Sequence, residues 1–199
     1  MEVSFKSDSL RHLPTPSRAV RMENSSALMR RWNLLQSGAL DDPRVVNRWF
    51  PGQRDILEIL QVLTLPEVER IADCGVPLFG LQLRCTDFVL DAYAARQVTD
   101  PMEQGAVQES FIALMARLDC VRTCFQQACL TFNLTYAEAA WLQRFCAHEL
   151  QALAHDPSMQ LTPLVSTEFF VASATRTFTS VQRSVLGCVS RRARPALAH

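Results

Sequence analysis

The chain has 199 residues, 48% of them hydrophobic and 20% charged, and its 20 basic side chains balance its 20 acidic ones. This composition excludes an intrinsically disordered protein, and the length suits one ordinary domain or two small ones. No apolar run approaches the roughly 20 residues that a membrane-spanning helix needs, so we expect no membrane partner.

The neutral net charge hides an uneven distribution along the chain. Residues 1–54 hold nine basic and five acidic side chains, residues 55–168 hold six and fifteen, and residues 169–199 hold five arginines and no acid. Basic ends on an acidic middle predict a polyanionic partner or head-to-tail association. The alternative interpretation is two solvated basic ends.

The cysteines and the N-terminus bear on the compartment. Seven cysteines are an odd number, and residues 1–22 have a polar, tail-like composition without the apolar segment of a secretory signal. We therefore predict a flexible N-terminal tail at 1–22 and reduced thiols in a cytoplasmic protein. Three cysteines fall on apolar helix faces, where a free thiol behaves as a small hydrophobe: Cys120, Cys124 and Cys188.

Apolar periodicity predicts helices along most of the chain. In the first half they cover about residues 25–35, 41–50, 53–63 and 66–74, followed by a short strand or extended arm at 78–84 and a helix from Thr86 to Arg96. In the second half they cover about 100–132, 135–154 and 166–189, and a basic tail follows at 191–199.

A tight corner joins the helices predicted at 53–63 and 66–74. Thr64 is a good N-cap, Pro66 suits the first turn, and Glu67 lies three residues after the cap, which is the pattern of a capping box. The two helices form a helix–turn–helix-like unit. We expect its apolar residues to serve packing and assembly: Leu63, Leu65, Val68 and Ile71.

These elements predict an all-α fold, a multi-helix orthogonal bundle with helix–turn–helix-like corners. The predicted domains are 23–98 and 99–190. Alignment of Leu60-Gln61 with Leu142-Gln143 and of Glu67 with Glu149 indicates an internal repeat at an offset of 82 residues. Two unrelated helical segments that share an apolar phase are the alternative. If the repeat is real, one chain mimics a dimer of a smaller subunit.

The corner and the segment after it resemble FlhD, a subunit of the bacterial flagellar master regulator. That family has an LTLPQ corner, a helix ending in a Leu-Ala pair, and a short extended apolar segment with a basic residue. The counterparts here are Leu63 to Glu67, Ile71-Ala72, and Leu78 to Arg84. The resemblance covers about residues 45–84 and implies a transcriptional activator that controls motility genes as an oligomer.

Two features depart from the FlhD pattern. Phe79 stands where the family has a cysteine, so its inter-subunit disulfide does not carry over, and this chain is longer than a typical FlhD subunit. The partner subunit, FlhC, is a zinc protein with paired cysteine knuckles, and this chain lacks such knuckles. The resemblance therefore implies a divergent FlhD relative rather than an FlhC relative.

Catalytic and cofactor motifs are absent from the sequence. It has no nucleophile elbow, no phosphate-binding glycine loop and no His-Glu-x-x-His pair. Cys120, Cys124 and Cys129, with Cys146 or His148, are the alternative set for a zinc site, but three cysteines inside one apolar helix favour a core role. We expect no enzyme activity, metal, cofactor or small-molecule substrate.

The corner's second helix does not suit direct reading of DNA, since Glu67, Glu69 and Asp73 would repel phosphate. Contact with promoter DNA is therefore expected from arginines near the N-terminal helices: Arg30, Arg31, Arg44, Arg48 and Arg54. A solvated, purely structural face is the alternative.

Two functions remain open from the sequence. One is a transcriptional regulator resembling FlhD, which acts on promoter DNA as a homo-oligomer or with a partner subunit. The other is an all-helical adaptor or secretion-associated protein that binds another protein and no DNA. The acidic middle of the chain favours the second function, and the segment from Leu63 to Arg84 favours the first.

Overall fold

The computed structural model describes residues 15–38, 41–50, 54–81, 83, 98–156 and 158–191. Within these ranges it contains ten helices and two short strands, which confirms the predicted all-α, multi-helix fold. The helices are α1 (Thr15–Gln36), α2 (Pro43–Trp49), α3 (Arg54–Val62), α4 (Leu65–Ala72), α5 (Pro101–Thr123), α6 (Phe125–Phe132), α7 (Tyr136–Gln143), α8 (Ala147–Leu153), α9 (Thr167–Thr175) and α10 (Ser180–Val189); the strands are β1 (Phe79–Leu81) and β2 (Leu161–Pro163).

The first helix is longer than predicted. It begins at Thr15, so residues 15–22 belong to α1 and not to a flexible tail. Val20 is fully buried, and the apolar face of the helix therefore starts before the segment whose periodicity the sequence reveals. The predicted tail residues 1–14 lie outside the described ranges, as do residues 192–199 and the predicted helix from Thr86 to Arg96.

Local signals place α2 and α4 where the sequence predicts them. The Asp42 carboxylate accepts a hydrogen bond from the Arg44 backbone N–H at 2.9 Å, so Asp42 is the N-cap of α2. At the corner, the Glu67 carboxylate accepts hydrogen bonds from the Thr64 backbone N–H and hydroxyl, both at 2.7 Å. The indole N–H of Trp32 donates to the Leu63 carbonyl at 2.8 Å and thereby joins the corner to α1.

The segment predicted as a strand or an extended arm is a buried strand over its described residues. Leu78 and Phe79 are fully buried, and β1 pairs with β2 in antiparallel register with Gly80 opposite Thr162. The Leu164 N–H also donates to the Leu78 carbonyl at 2.8 Å. The extended-arm alternative is therefore wrong for residues 78–81, because their apolar side chains lie in the core.

Each of the three long helices predicted in the second half is divided into two. Cys124 has extended backbone angles between α5 and α6, and Arg176 has them between α9 and α10. Between α7 and α8 the chain turns at Phe145, whose carbonyl accepts a hydrogen bond from Arg122 at 2.7 Å. Apolar residues keep their helical phase across these breaks, so periodicity alone predicted continuous helices.

One hydrophobic cluster unites the predicted domains 23–98 and 99–190. Helix α1 packs against α3, α4 and α5, while α5 packs against α6, α7 and α8. Helix α9 lies against α3 and α4, and β1 pairs with β2. Segments from the two predicted domains thus alternate around a common core.

The repeat at an offset of 82 residues corresponds to repeated structure. The first residues of α2, α3, α4 and β1 lie 82 positions before the first residues of α6, α7, α8 and β2, respectively. The helix caps correspond as well, since Thr64 with Glu67 and Cys146 with Glu149 form equivalent capping boxes.

Candidate functional site

Arg31, which the sequence predicts to contact DNA, lies in the core. Its side chain is 2% exposed, and Nη1 donates to the Glu109 carboxylate on α5. Nη2 donates to the Leu161 carbonyl at 3.1 Å. The prediction that Arg31 contacts a phosphate is therefore wrong for this structure, because movement of the Arg31 side chain to solvent would leave Glu109 buried without its counter-charge.

Aromatic rings complete the surroundings of Arg31. Its guanidinium lies 4.5 Å from the ring centroid of Phe79 and 5.4 Å from that of Trp49, distances at which a cation is attracted to the face of a ring. Burial raises the pKa of the Glu109 carboxyl, and the charge of Arg31 opposes that rise. Arg31 is thus a structural residue that holds α1, α5 and β2 together.

The structure contains a second buried ion pair that the sequence patterns did not predict. Arg117 on α5 donates to Glu23 on α1, with Nη1–Oε2 and Nη2–Oε1 distances of 2.5 and 2.9 Å. Arg117 also lies 4.7 Å from the ring centroid of Phe132. Burial raises the pKa of the Glu23 carboxyl, against the influence of Arg117. The signal that could have revealed this pair is a Glu-x-x-x-Ala-Leu-Met-x-Arg pattern that occurs in both helices.

Two more of the predicted DNA-binding arginines are engaged within the protein. Arg30 Nη1 donates to the Gly105 carbonyl at 3.2 Å. The Arg48 side chain is only 10% exposed, and its Nε lies 3.5 Å from the Glu103 carboxylate. Both arginines join the α1–α2 region to α5 and are held there by contacts within the protein.

Arg44 and Arg54 are the exposed members of the set, with side chains 78% and 89% accessible. Arg44 Nη2 lies 2.7 Å from an Asp42 oxygen, and this hydrogen bonding holds the pKa of Asp42 below its ordinary value. Arg54 Nε lies 3.6 Å from Glu58, one helical turn away. Each exposed arginine therefore carries a neighbouring acid that competes with a phosphate for it.

A shallow groove of about 450 Å³ lies between α2 and α3, beside Arg54. Its walls combine apolar side chains with a polar rim of both charges and two amides, which gives it no net charge of its own. The lining residues are Pro43, Val46, Asn47, Arg54, Leu57, Glu58 and Gln61.

The corner residues predicted for assembly point into the chain's own core. Val68 and Ile71 are fully buried, Leu63 is nearly so, and Leu65 is half-buried. Helix α4, which carries Leu65, Val68 and Ile71, packs against α1 and α9. The corner therefore packs within one chain, and assembly of several chains through it stays a prediction.

The outer side of the corner is a network of paired charges. Asp73, just after α4, binds both Arg21 of α1 and Arg183 of α10, and Arg183 Nη2 lies 3.0 Å from its carboxylate. Arg70 Nη2 lies 3.8 Å from Glu67. These contacts neutralise most of the acidic character that the sequence predicts for this helix, and they join it to both ends of the described chain.

The cysteine and histidine candidates are dispersed. Cys120 is buried, Cys129 is half-buried, and Cys124 and Cys146 are exposed. His148 lies on α8, which ends at Leu153. Among the described residues, no group of three His, Cys, Asp or Glu side chains could hold a metal ion, and no helix there is long and apolar enough to cross a bilayer.

Comparison with known proteins adds no relative. The chain matches no protein-family model, no curated protein and no solved structure.

Proposed function

We propose that this chain is a transcriptional regulator resembling FlhD, and that it acts in the cytoplasm on promoters of motility-type genes through a partner subunit. The observation that carries the proposal is the central position of the FlhD-like segment. The apolar side of its corner and its strand β1 face the core, where Leu78, Phe79 and Ile71 are fully buried. The part of the chain that resembles the family thus contributes to the core.

The electrostatics favour contact with DNA through a partner. Non-specific affinity for DNA comes from basic side chains that replace counterions on the phosphates. Of the predicted arginines, Arg31 is buried with Glu109, and Arg44 and Arg54 are each next to an acid. Such a surface offers little net positive charge, so the phosphate contacts would come from another subunit.

An adaptor that binds protein and no DNA is the second candidate. The observation that favours it is an apolar stripe on α10, formed by Val181, Val185 and Val189, which are 72%, 59% and 80% exposed. Their spacing of four residues places them on one face of the helix. An exposed valine stripe suits a protein partner and offers nothing to a phosphate.

Crosslinking in cells that express the tagged chain separates the two functions. Formaldehyde joins DNA to proteins that contact it directly or through a partner, whereas ultraviolet light joins only groups in direct contact. A regulator that acts through a partner gives enriched motility-type promoters with formaldehyde and none with ultraviolet light. No enrichment by either method would overturn the regulator proposal and support the adaptor. Enrichment by both would overturn the role of the partner.

The exposed arginines provide a matched control in the same assay. The Arg44→Ala and Arg54→Ala variants are expected to retain formaldehyde enrichment, because neither side chain supports the fold or supplies phosphate contacts under the proposal. A several-fold loss of enrichment in either variant, with protein levels unchanged, would show that the chain contacts DNA through this surface.

A further inference from the structure

The first helices of the two halves of the chain have the same pattern of residues and burial. We define the first half as residues 15–83 and the second half as residues 101–191. Glu23-x-x-x-Ala-Leu-Met-x-Arg31 on α1 recurs, 86 positions later, as Glu109-x-x-x-Ala-Leu-Met-x-Arg117 on α5. The alternation of buried and half-buried positions is identical over the two segments. Amphipathic periodicity accounts for the alternation, but it does not account for a buried acid and a buried arginine at both places.

The ion pairs between the halves are reciprocal. Glu23 of the first half binds Arg117 of the second, and Glu109 of the second half binds Arg31 of the first. In a two-fold symmetric dimer, if residue i of one subunit contacts residue j of the other, then j also contacts i. The two pairs have that relationship, with each half supplying one acid and one arginine.

The other hydrogen bonds of the two arginines are reciprocal as well. Arg31 donates to the Ala27 carbonyl of its own helix and to the Leu161 carbonyl in β2. Arg117 donates to the Ala113 carbonyl of its own helix and has a longer contact, 3.5 Å, with the Phe79 carbonyl in β1. Phe79 and Leu161 are the first residues of their strands, and each arginine thus crosses to the equivalent strand of the opposite half.

The pairing of the two strands is also reciprocal. Gly80 is opposite Thr162, while Phe79 is opposite Pro163 and Leu81 is opposite Leu161. Gly80 and Thr162 are 82 positions apart, so the central pair joins equivalent residues and the outer pairs exchange first and last residues. Antiparallel pairing of equivalent strands is the arrangement that a two-fold axis produces between identical subunits.

The helix contacts also come in equivalent pairs. Helix α1 packs on α3 and α4 as α5 packs on α7 and α8, and α2 contacts α5 as α6 contacts α1. The change of offset from 86 to 82 falls between the first and second helices of each half. There six positions of the sequence separate the end of α1 from the start of α2, whereas Cys124 alone separates α5 from α6.

We propose that the chain is a tandem duplication whose halves form, within a single polypeptide, the interface of a two-fold symmetric dimer. The interaction surface is the face of each half that carries the Glu, the Arg and the strand, and its partner is the other half of the same chain. A second copy of the chain is not needed to complete this interface. The proposal is independent of the regulator function.

Exchange of equivalent segments in the full-length chain tests the proposal. In one variant, residues 23–31 take the sequence of residues 109–117 and residues 109–117 take that of residues 23–31, except that Asn24 and Ser110, which bond different backbone groups, stay in place. In the matched control, with Asn24 and Ser110 kept, residues 23–31 take the sequence of residues 110–118 and residues 109–117 take that of residues 24–32, so that neither Glu nor Arg stands at positions 23, 31, 109 or 117. If the segments are equivalent, the exchanged chain unfolds cooperatively at a denaturant midpoint close to that of the original chain, and the shifted control has no cooperative transition.

Two results would overturn the proposal. One is loss of cooperative unfolding in the in-register exchange, because equivalent segments must tolerate replacement by each other. The other is cooperative unfolding of the shifted control at the same midpoint, because stability would then not depend on where Glu and Arg stand in each segment.

A substitution scan of the full-length chain gives an independent measurement. The tolerance of each position, read from the abundance of protease-resistant protein, is compared between the two halves at every offset from 78 to 94. The proposal expects the strongest correlation at 86 for α1 with α5 and at 82 for residues 54–81 with residues 136–163. The proposal would be contradicted if the correlation were strongest at another offset, or if it were equally strong at an offset that differs by one helical turn.

Discussion

Glu23 of α1 and Arg117 of α5 form a two-pronged ion pair in the interior, in which Arg117 Nη1 lies 2.5 Å from Oε2 and Nη2 lies 2.9 Å from Oε1. Their side chains are 2% and 1% exposed, so water screens neither charge. The attraction offsets the cost of desolvation only while both members are present. That dependence makes the pair a sensitive point for substitution.

Arg117→Met is expected to lower the free energy of unfolding by about 3–5 kcal/mol, because Glu23 is then left buried without its counter-charge. Arg31→Met is expected to cost a similar amount through Glu109. Denaturant unfolding monitored by circular dichroism measures both losses. A loss below about 1 kcal/mol for either variant would mean that the acid finds another partner or water.

The double variant Glu23→Met with Arg117→Met is the control for that prediction. It removes both charges and leaves an apolar pair of similar volume, which in other proteins is neutral or stabilising. We expect it to be more stable than either single variant. If it is as unstable as Arg117→Met alone, packing rather than charge determines the cost.

Trp32→Phe is expected to destabilise the fold by about 1–3 kcal/mol. The indole N–H of Trp32 donates to the Leu63 carbonyl, and its removal leaves a backbone acceptor at the corner without that donor. Thermal unfolding measures the loss, and a Trp32→Phe variant as stable as the original chain would contradict the assigned role of the indole N–H.

The capping-box carboxylates predict a pH dependence. Hydrogen bonds from Thr64 hold the pKa of Glu67 below its ordinary value, and those from Cys146 do the same for Glu149. A depressed pKa in the folded state means that the carboxylate adds stability above the unfolded pKa of about 4.3 and loses that contribution as the pH falls through the folded value. Glu67→Gln and Glu149→Gln should therefore be less stable than the original chain at pH 7.

The difference between these variants and the original chain should shrink as the pH falls from about 5 to 3, the range in which the carboxylates acquire protons. Glu69→Gln, on the exposed side of the same helix as Glu67, is the control, because it removes one negative charge and no capping hydrogen bond. A constant difference at all pH values would indicate that the glutamate charge contributes nothing.

Alkylation should distinguish two classes of cysteine. Burial raises the pKa of the Cys74 thiol and raises that of Cys120 to about 11, and the thiolate is the reactive form. Cys124, Cys146 and Cys188 are exposed. Iodoacetamide at pH 8, followed by mass spectrometry of peptides, should modify the exposed thiols roughly 100-fold faster than Cys120. Equal rates in the folded protein would contradict the described burial.

The sequence predicts those features that depend on neighbouring residues. Asp42 before Pro43, and Thr64 with Glu67, satisfy backbone groups within one helical turn, so their residue types are sufficient to place α2 and α4. The breaks at Cys124 and Phe145 depend on contacts with other elements, such as the bond from Arg122 to the Phe145 carbonyl. No local pattern contains that information.

The position of Arg31 shows why the candidate site was harder to predict than the fold. Its partner Glu109 lies 78 residues away, so a reading of nearby residues places Arg31 with Arg30 on an exposed basic face. The alignment at an offset of 82 could not reveal the partnership either, because the first helices match at 86. The two buried acids and the two buried arginines become recognisable only when both offsets are considered.

The two-fold arrangement within one chain also affects how substitutions can accumulate on the outer surface. A homodimer acquires every surface substitution twice, whereas here the two corners vary separately. Glu58, Val62 and Glu69 on the corner of α3 and α4 stand where the corner of α7 and α8 has Ala140, Arg144 and Gln151. The two corners therefore differ in charge at these equivalent positions, and a single neighbour can distinguish one corner from the other.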